Sequence, residues 1–112
     1  MEIKTEKRDN AQIILVSGML DASNYQKFEE DISLLIQGGP DKIVFNLSNL
    51  EYMSSAGVRA FLKTNRTIKS KEGVMVFCCL KPFIKEVFEI AGLDVGFKIF
   101  ADVESAVQFL DA

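Results

Sequence analysis

The amino-acid sequence predicts an α/β fold, a central mixed β-sheet of about four or five strands with about four helices packed mainly on one side. Three observations predict it. Short β-branched apolar runs alternate along the chain with longer stretches in which apolar residues recur every three or four positions. Two of the runs, KIVFNL (42–47) and VMVFCCL (74–80), are almost continuously apolar, the pattern of strands buried on both faces. Strands separated by helices pair in parallel through crossover connections, so the order β β α β α β α β α implies a largely parallel sheet.

The elements follow in order. EIKTEKR alternates weakly and fits an edge strand, pairing across a turn at Asp9–Asn10 with AQIILVSG (11–18), a β-branched run that ends at Gly18. DASNYQKFEEDISLLIQGG has helical spacing. Ser23 and Gln26 form a candidate S-x-x-Q capping box, Tyr25, Phe28, Ile32 and Leu35 mark the apolar face, and Gly38–Gly39 supplies the stop. A turn at Pro40–Asp41 leads into the strand at 42–47. SSAGVRAFLKTNRTIKSKEG predicts a second helix with Val58, Phe61, Leu62, Asn65 and Ile68 on one face and Lys69, Lys71 and Gly73 at its end. After the strand at 74–80, KPFIKEVFEIAGL predicts a helix with Pro82 near its start, Phe83, Val87 and Ile90 inward, and Gly92 as the stop. FKIFA (97–101) is a last short strand. DVESAVQFLDA closes the chain as a helix capped by Asp102, with Val103, Ala106, Val107 and Leu110 facing inward.

Composition bounds the function. The 112 residues fit a single domain spanning 1–112, and 48% apolar content with nine Phe is enough for a core without covalent staples. Charged residues are interspersed, the net charge is −3 and no basic stripe exists, which argues against nucleic acid as a partner. No apolar run approaches the roughly 20 residues that span a bilayer. The segment MEIKTEKRDN is charged and has no signal-peptide core, so a cytoplasmic protein is expected. Cys78 and Cys79 are adjacent, not spaced as CxxC, and the chain has no His, so neither metal nor cofactor is implied. Neighbours on a strand point to opposite faces, and the pair reads as two small apolar residues of a buried strand.

The stretch LEYMSSAGVR (50–59) carries the functional question, because two serines stand where a strand gives way to a helix. A nucleophilic serine needs an adjacent base, most often His, and no G-x-S-x-G surrounds this one. A phosphate-binding loop needs more glycine than Gly57 alone and the Walker lysine. Capping explains one hydroxyl: Ser54 or Ser55 satisfies free N–H groups of the first turn. Covalent modification remains. A phosphoryl group there adds roughly −1.5 to −2 charges at a helix N-terminus, where anions are favoured, and changes what the surface binds without unfolding it.

NLSNLEYMSSAGVRAFL resembles the signature of the anti-sigma factor antagonist family, the STAS domains, whose apolar strand runs into DSSG or SSAG and then a helix. GMLDASN (18–24) is similar to the family's G-x-L-D segment, and KPFIKEVFEIAGL to its next helix, so the resemblance covers nearly the whole chain. It implies a STAS-like fold and a switch protein that is itself no enzyme. Unphosphorylated, such a protein binds an anti-sigma factor that is also a serine kinase, and so frees the sigma factor. Phosphorylation releases the complex and a serine phosphatase resets it. Alignment on Gly57 puts Ser54 at the family's Asp position, Ser55 at the phosphoacceptor and Ala56 at the second serine. Asp21 matches the acidic residue before the first helix. The implied partner surface is Asp21, Asn24, Ser54, Ser55, Ala56 and Gly57, with Met19 and Met53 close by. Two other readings stay open: a STAS subunit of another signalling or transport system that is not phosphorylated, and a small α/β domain that binds an anion at 54–57.

Overall fold

The computed structural model describes residues 1–111, so Ala112, the last residue of the expected final helix, lies outside the described residues. Strand β1 (Glu2–Arg8) pairs antiparallel with β2 (Ala11–Leu20) across the turn at Asp9–Asn10. Helix α1 (Tyr25–Ile36) leads to β3 (Lys42–Asn46), parallel to β2. A short strand β4 (Leu50–Met53) precedes α2 (Ser55–Ser70), and β5 (Val74–Cys78) lies parallel to β3. Helices α3 (Pro82–Ala91) and α4 (Leu93–Gly96) lead to β6 (Ile99–Phe100), parallel to β5, and α5 (Val103–Asp111) ends the described chain. The sheet runs β1-β2-β3-β5-β6, with β4 paired to β2 off that path. The expected adjacency of the strands near 11–17, 42–47, 74–79 and 97–100 is what forms.

The period of two along each strand divides the core. Ile14, Val16, Ile43, Phe45, Met75 and Phe77 face one layer, where they meet Phe28, Ile32 and Ile36 of α1, Ala60, Phe61 and Ile68 of α2, and Ile84 and Phe88 of α3. Ile13, Val44, Val76 and Cys78 face the other, where α5 lays down Ala106, Val107 and Leu110. Leu93 of α4 joins the first layer, so four helices share one side and α5 covers the reverse. Phe61 centres the larger layer, with ring centroids 5.2 Å from Phe28, 5.2 Å from Phe45 and 5.1 Å from Phe77, all edge to face. Such offset geometry is what the ring quadrupole favours.

Several expectations change. Strand β2 does not stop at Gly18; it continues to Leu20 through a register shift at Gly18/Met19. Gly18 has φ +90°, open to glycine and strained for other residues, and its N–H donates to Asn49 O at 2.9 Å. The bulge lets β2 exchange its neighbour β3 for β4. Strand β4 is an addition to the expected list. The sequence hides it because the chain turns between two adjacent strand segments: Ser48 N donates to Asn46 Oδ1 at 3.0 Å, and Leu50 N to Leu47 O at 3.1 Å. The expected capping box does not form. Helix α1 begins at Tyr25 with Asn24 as N-cap, and the Ser23 hydroxyl turns back to Asp21.

Two helix faces are rotated relative to the expected ones. In α2, Leu62 is exposed, and Thr64 is buried instead, its hydroxyl donating to Ala60 O at 2.9 Å. In α3 the core side chains are Ile84 and Phe88, one position on from the expected Phe83 and Val87, while Ile90 is 86% exposed. A helix with apolar residues at 83, 84, 87, 88 and 90 offers two overlapping stripes; the second is fully buried, and of the first Val87 is half-buried against the core. Finally, β5 ends at Cys78. Cys79 has φ +63°, so the alternation that would send the two thiols to opposite faces is broken there.

Candidate functional site

The site is built where β2, β4 and β5 end, at the carboxyl edge of the parallel strands. Loops gather function at that edge in open α/β sheets because the helix N-termini point there. Leu20 pairs with Met53, and Leu20 O accepts a hydrogen bond from Ser54 N at 3.0 Å. Asp21 and Ser55 each lie one residue beyond that clamp. With Cα atoms 3.80 Å apart along the chain, the two are held within about 15 Å of each other.

Ser54 and Ser55 are not equivalent. Ser54 is the N-cap of α2, in extended conformation at φ −95° and ψ 179°, and its Oγ accepts from Ala56 N at 3.2 Å. Its carbonyl accepts from Val58 N at 3.1 Å, the first hydrogen bond of the helix. Ser54 is half-buried. Ser55 is the first helical residue and is exposed. No acidic residue stands in the first turn of α2. Ala56 and Gly57 are buried beneath the turn. A Cβ on Gly57 would come within 2.6 Å of Met53 Cγ and 3.1 Å of Leu20 O, so glycine is what allows α2 to start this close to the strands. Met53 is core, at 2% exposure.

Asp21 and Asn24 shape the facing loop. Asp21 Oδ1 accepts from Ser23 N at 2.9 Å and from Ser23 Oγ at 2.6 Å, an Asx-type turn. Those two bonds, the side-chain one foremost, hold the Asp21 carboxyl below its ordinary range because they favour the ionised form. Asn24 Nδ2 donates to Met19 O at 2.8 Å, and its Oδ1 accepts from Asp21 N at 3.0 Å. Asn24 thus ties both ends of the loop that carries Asp21.

An apolar flank, partly unanticipated, borders these groups. Met19 and Tyr52 are register partners on β2 and β4, and Phe83 stacks on Tyr52 with ring centroids 5.8 Å apart and planes at 16°. Met19 is 52% exposed, Tyr52 41% and Phe83 45%. Lys81 Nζ lies 3.6 Å from Glu51 Oε1 beside them. Met19 was expected here. Tyr52 and Phe83 are additions to the expected surface: the sequence pattern points Phe83 inward, and its stacking on Tyr52 places it here instead. Among the described residues, no group of three or more His, Cys, Asp or Glu is arranged to hold a metal ion. No described helix is long and apolar enough to cross a membrane.

A strand-ending serine turn on a mixed α/β sheet with this topology defines a domain class, and comparison with known proteins agrees. Residues 2–106 match the sequence profile of the STAS domain. The chain belongs to the STAS family. It is 31% identical over 106 residues to BtrV of Bordetella bronchiseptica, whose name casts it as an anti-sigma factor antagonist, with 95% of this chain and 91% of that protein covered. Its fold superimposes on an anti-sigma factor antagonist from Mycobacterium paratuberculosis with a TM-score of 0.89 at 21% identity, covering 99% of this chain and 94% of that one. It superimposes on the phosphorylated form of the Bacillus cell fate determinant SpoIIAA with a TM-score of 0.73 at 25% identity, covering 96% and 97%.

Proposed function

We propose that this protein is a cytoplasmic, single-domain anti-sigma factor antagonist whose binding is switched by phosphorylation of Ser55. In its unphosphorylated form it docks an anti-sigma factor serine kinase through Asp21, Asn24, Ser54 and Ser55, over the turn that Ala56 and Gly57 shape, and so releases a sigma factor. It serves the kinase as ligand and substrate, and a serine phosphatase restores the free hydroxyl.

The observation that carries this reading is the difference between the two serines. The Ser54 hydroxyl is engaged in capping, whereas Ser55 projects from the first turn with its side chain exposed. A neutral hydroxyl at that point costs little to enclose in an interface. A phosphate carries a large desolvation penalty if enclosed without a partner, so its addition favours dissociation. The domain itself tolerates the charge, since helix N-termini favour anions and Arg59 stands four residues on, one turn along the same face. The names of the relatives, and the existence of a phosphorylated form of SpoIIAA, support the same direction.

Affinity capture from native cytosol tests the reading. Wild type and Ser55→Ala are expected to retain an ATP-binding serine kinase, and Ser55→Asp to lose it. Retention of the same kinase by all three, or by none, would count against the switch.

A further inference from the structure

The β5–α3 corner holds two thiols that the proposed switch does not use. Cys78 is fully buried on the α5 side of the sheet, among Val76, Ala106 and Val107. Cys79 packs partly against the same cluster, because its φ of +63° interrupts the strand before its side chain reaches the other face. Left-handed backbone is uncommon for a residue with a Cβ and marks a position the surrounding structure enforces. Here Cys79 N donates to Phe100 O at 3.1 Å, which fixes it to β6. Cys79 is only half-buried and lines a cavity of about 720 Å³ between α3, α4 and β6, together with Leu80, Lys85, Phe88 and Phe97. Cys79 is thus the more exposed of the two thiols, while Cys78 is fully buried. Burial first, and then the adjacent Cys79 side chain, push the Cys78 thiol far above its ordinary range, so it holds its proton and is the less reactive of the two toward a solute.

We propose that Cys78 and Cys79 form a peroxide-sensitive pair that closes into a disulfide between adjacent residues at the β5–α3 corner. The Cys79 sulfur attacks one oxygen of hydrogen peroxide and the O–O bond breaks. Cys79 becomes a sulfenic acid, and the departing hydroxide takes the Cys79 thiol proton and leaves as water. The Cys78 sulfur then attacks the Cys79 sulfur, the S–O bond breaks, and the departing hydroxide takes the Cys78 proton as a second water. The two thiols are oxidised by two electrons and the peroxide is reduced. The corner so locked leads into Lys81 and Phe83, which contact Glu51 and Tyr52 on the strand that ends at Met53, just before Ser54. Oxidation therefore acts on the flank of the candidate site. The thiol chemistry stands independently of phosphorylation at Ser55, so its failure would leave that reading untouched.

Intact-protein mass measurement with thiol titration on the full chain, after treatment with hydrogen peroxide, tests the pair. The expected result is loss of both free thiols from a monomer, with a mass lower by two hydrogen atoms, reversed by dithiothreitol. Cys79→Ser should keep the Cys78 thiol through the same treatment. Cys78→Ala should accumulate a sulfenic acid at Cys79 that dimedone traps. Addition of oxygen atoms to Cys79 in the wild type, disulfide links between chains, survival of both thiols, or loss of the Cys78 thiol in Cys79→Ser would each overturn the proposal.

Discussion

At the scale of single residues, the two serines divide capping from exposure. Ser54→Ala removes the oxygen that accepts from Ala56 N and should destabilise the protein by about 0.5–2 kcal/mol in urea unfolding. Ser55→Ala changes an exposed side chain and should stay within about 0.5 kcal/mol of wild type. A larger loss from Ser55 than from Ser54 would reverse the assignment of roles. Gly57→Ala drives a Cβ against Met53 and Leu20 and should cost about 1–3 kcal/mol, seen in the same unfolding experiment. Asp21 adds a pH dependence. Its folded carboxyl titrates below its unfolded value of about 3.9, so its turn contributes stability fully above that value and loses it as the pH falls through the lower, folded one. The Ser23 amide resonance, followed by NMR, should report a midpoint below the ordinary carboxylate range; an unshifted midpoint would mean that the Asx turn does not persist in solution. Much of this detail was legible. The resemblance to the STAS family points to Asp21, and the step from strand to helix marks the serines as a helix start, because capping is local hydrogen-bonding chemistry. Which serine caps was not legible, since either hydroxyl suits the N-cap and only the placement of Leu20 O opposite Ser54 N decides it.

At the scale of elements, the strands were read with more success than the faces of the helices. β3 and β5 announce themselves because strands buried on both faces leave no room for polar residues. β4 is not legible in the sequence because four residues that pair only with the far end of β2 carry no period of their own. The buried face of α3 lies one residue on from the one its sequence suggests, because Phe83, Val87 and Ile90 repeat as well as Ile84 and Phe88 do. Phe83 and Ile90 consequently remain at the surface, Phe83 in its stack on Tyr52. The packing of α2 makes a sharp prediction about where its energy lies. Phe61→Ala should destabilise by about 3–5 kcal/mol, since four other phenylalanine rings surround it, whereas Leu62→Ala, at an exposed position, should stay within about 0.5 kcal/mol. Similar losses from both, measured by chemical denaturation, would mean that the helix sits in the orientation first expected from its sequence.

At the scale of the whole molecule, the sheet brings the ends of β2, β4 and β5 to one edge, and the helix that follows β4 aims its N-terminus at the same place. The adjacency of those ends depends on the Gly18 bulge, which no local pattern in the sequence predicts. The proposed partner surface therefore rests on topology, while the exposure of Ser55, the proposed acceptor within it, rests on a single turn of helix. The central claim is that the exposed serine, not the capping one, receives the phosphoryl group. Its most direct test is site mapping by tandem mass spectrometry after incubation of the wild-type chain with ATP and the serine kinase it retains. Phosphate on Ser55, with none on Ser54 and none anywhere in Ser55→Ala, is the predicted result. Phosphate on Ser54, or an unmodified chain bound to an active kinase, would contradict it.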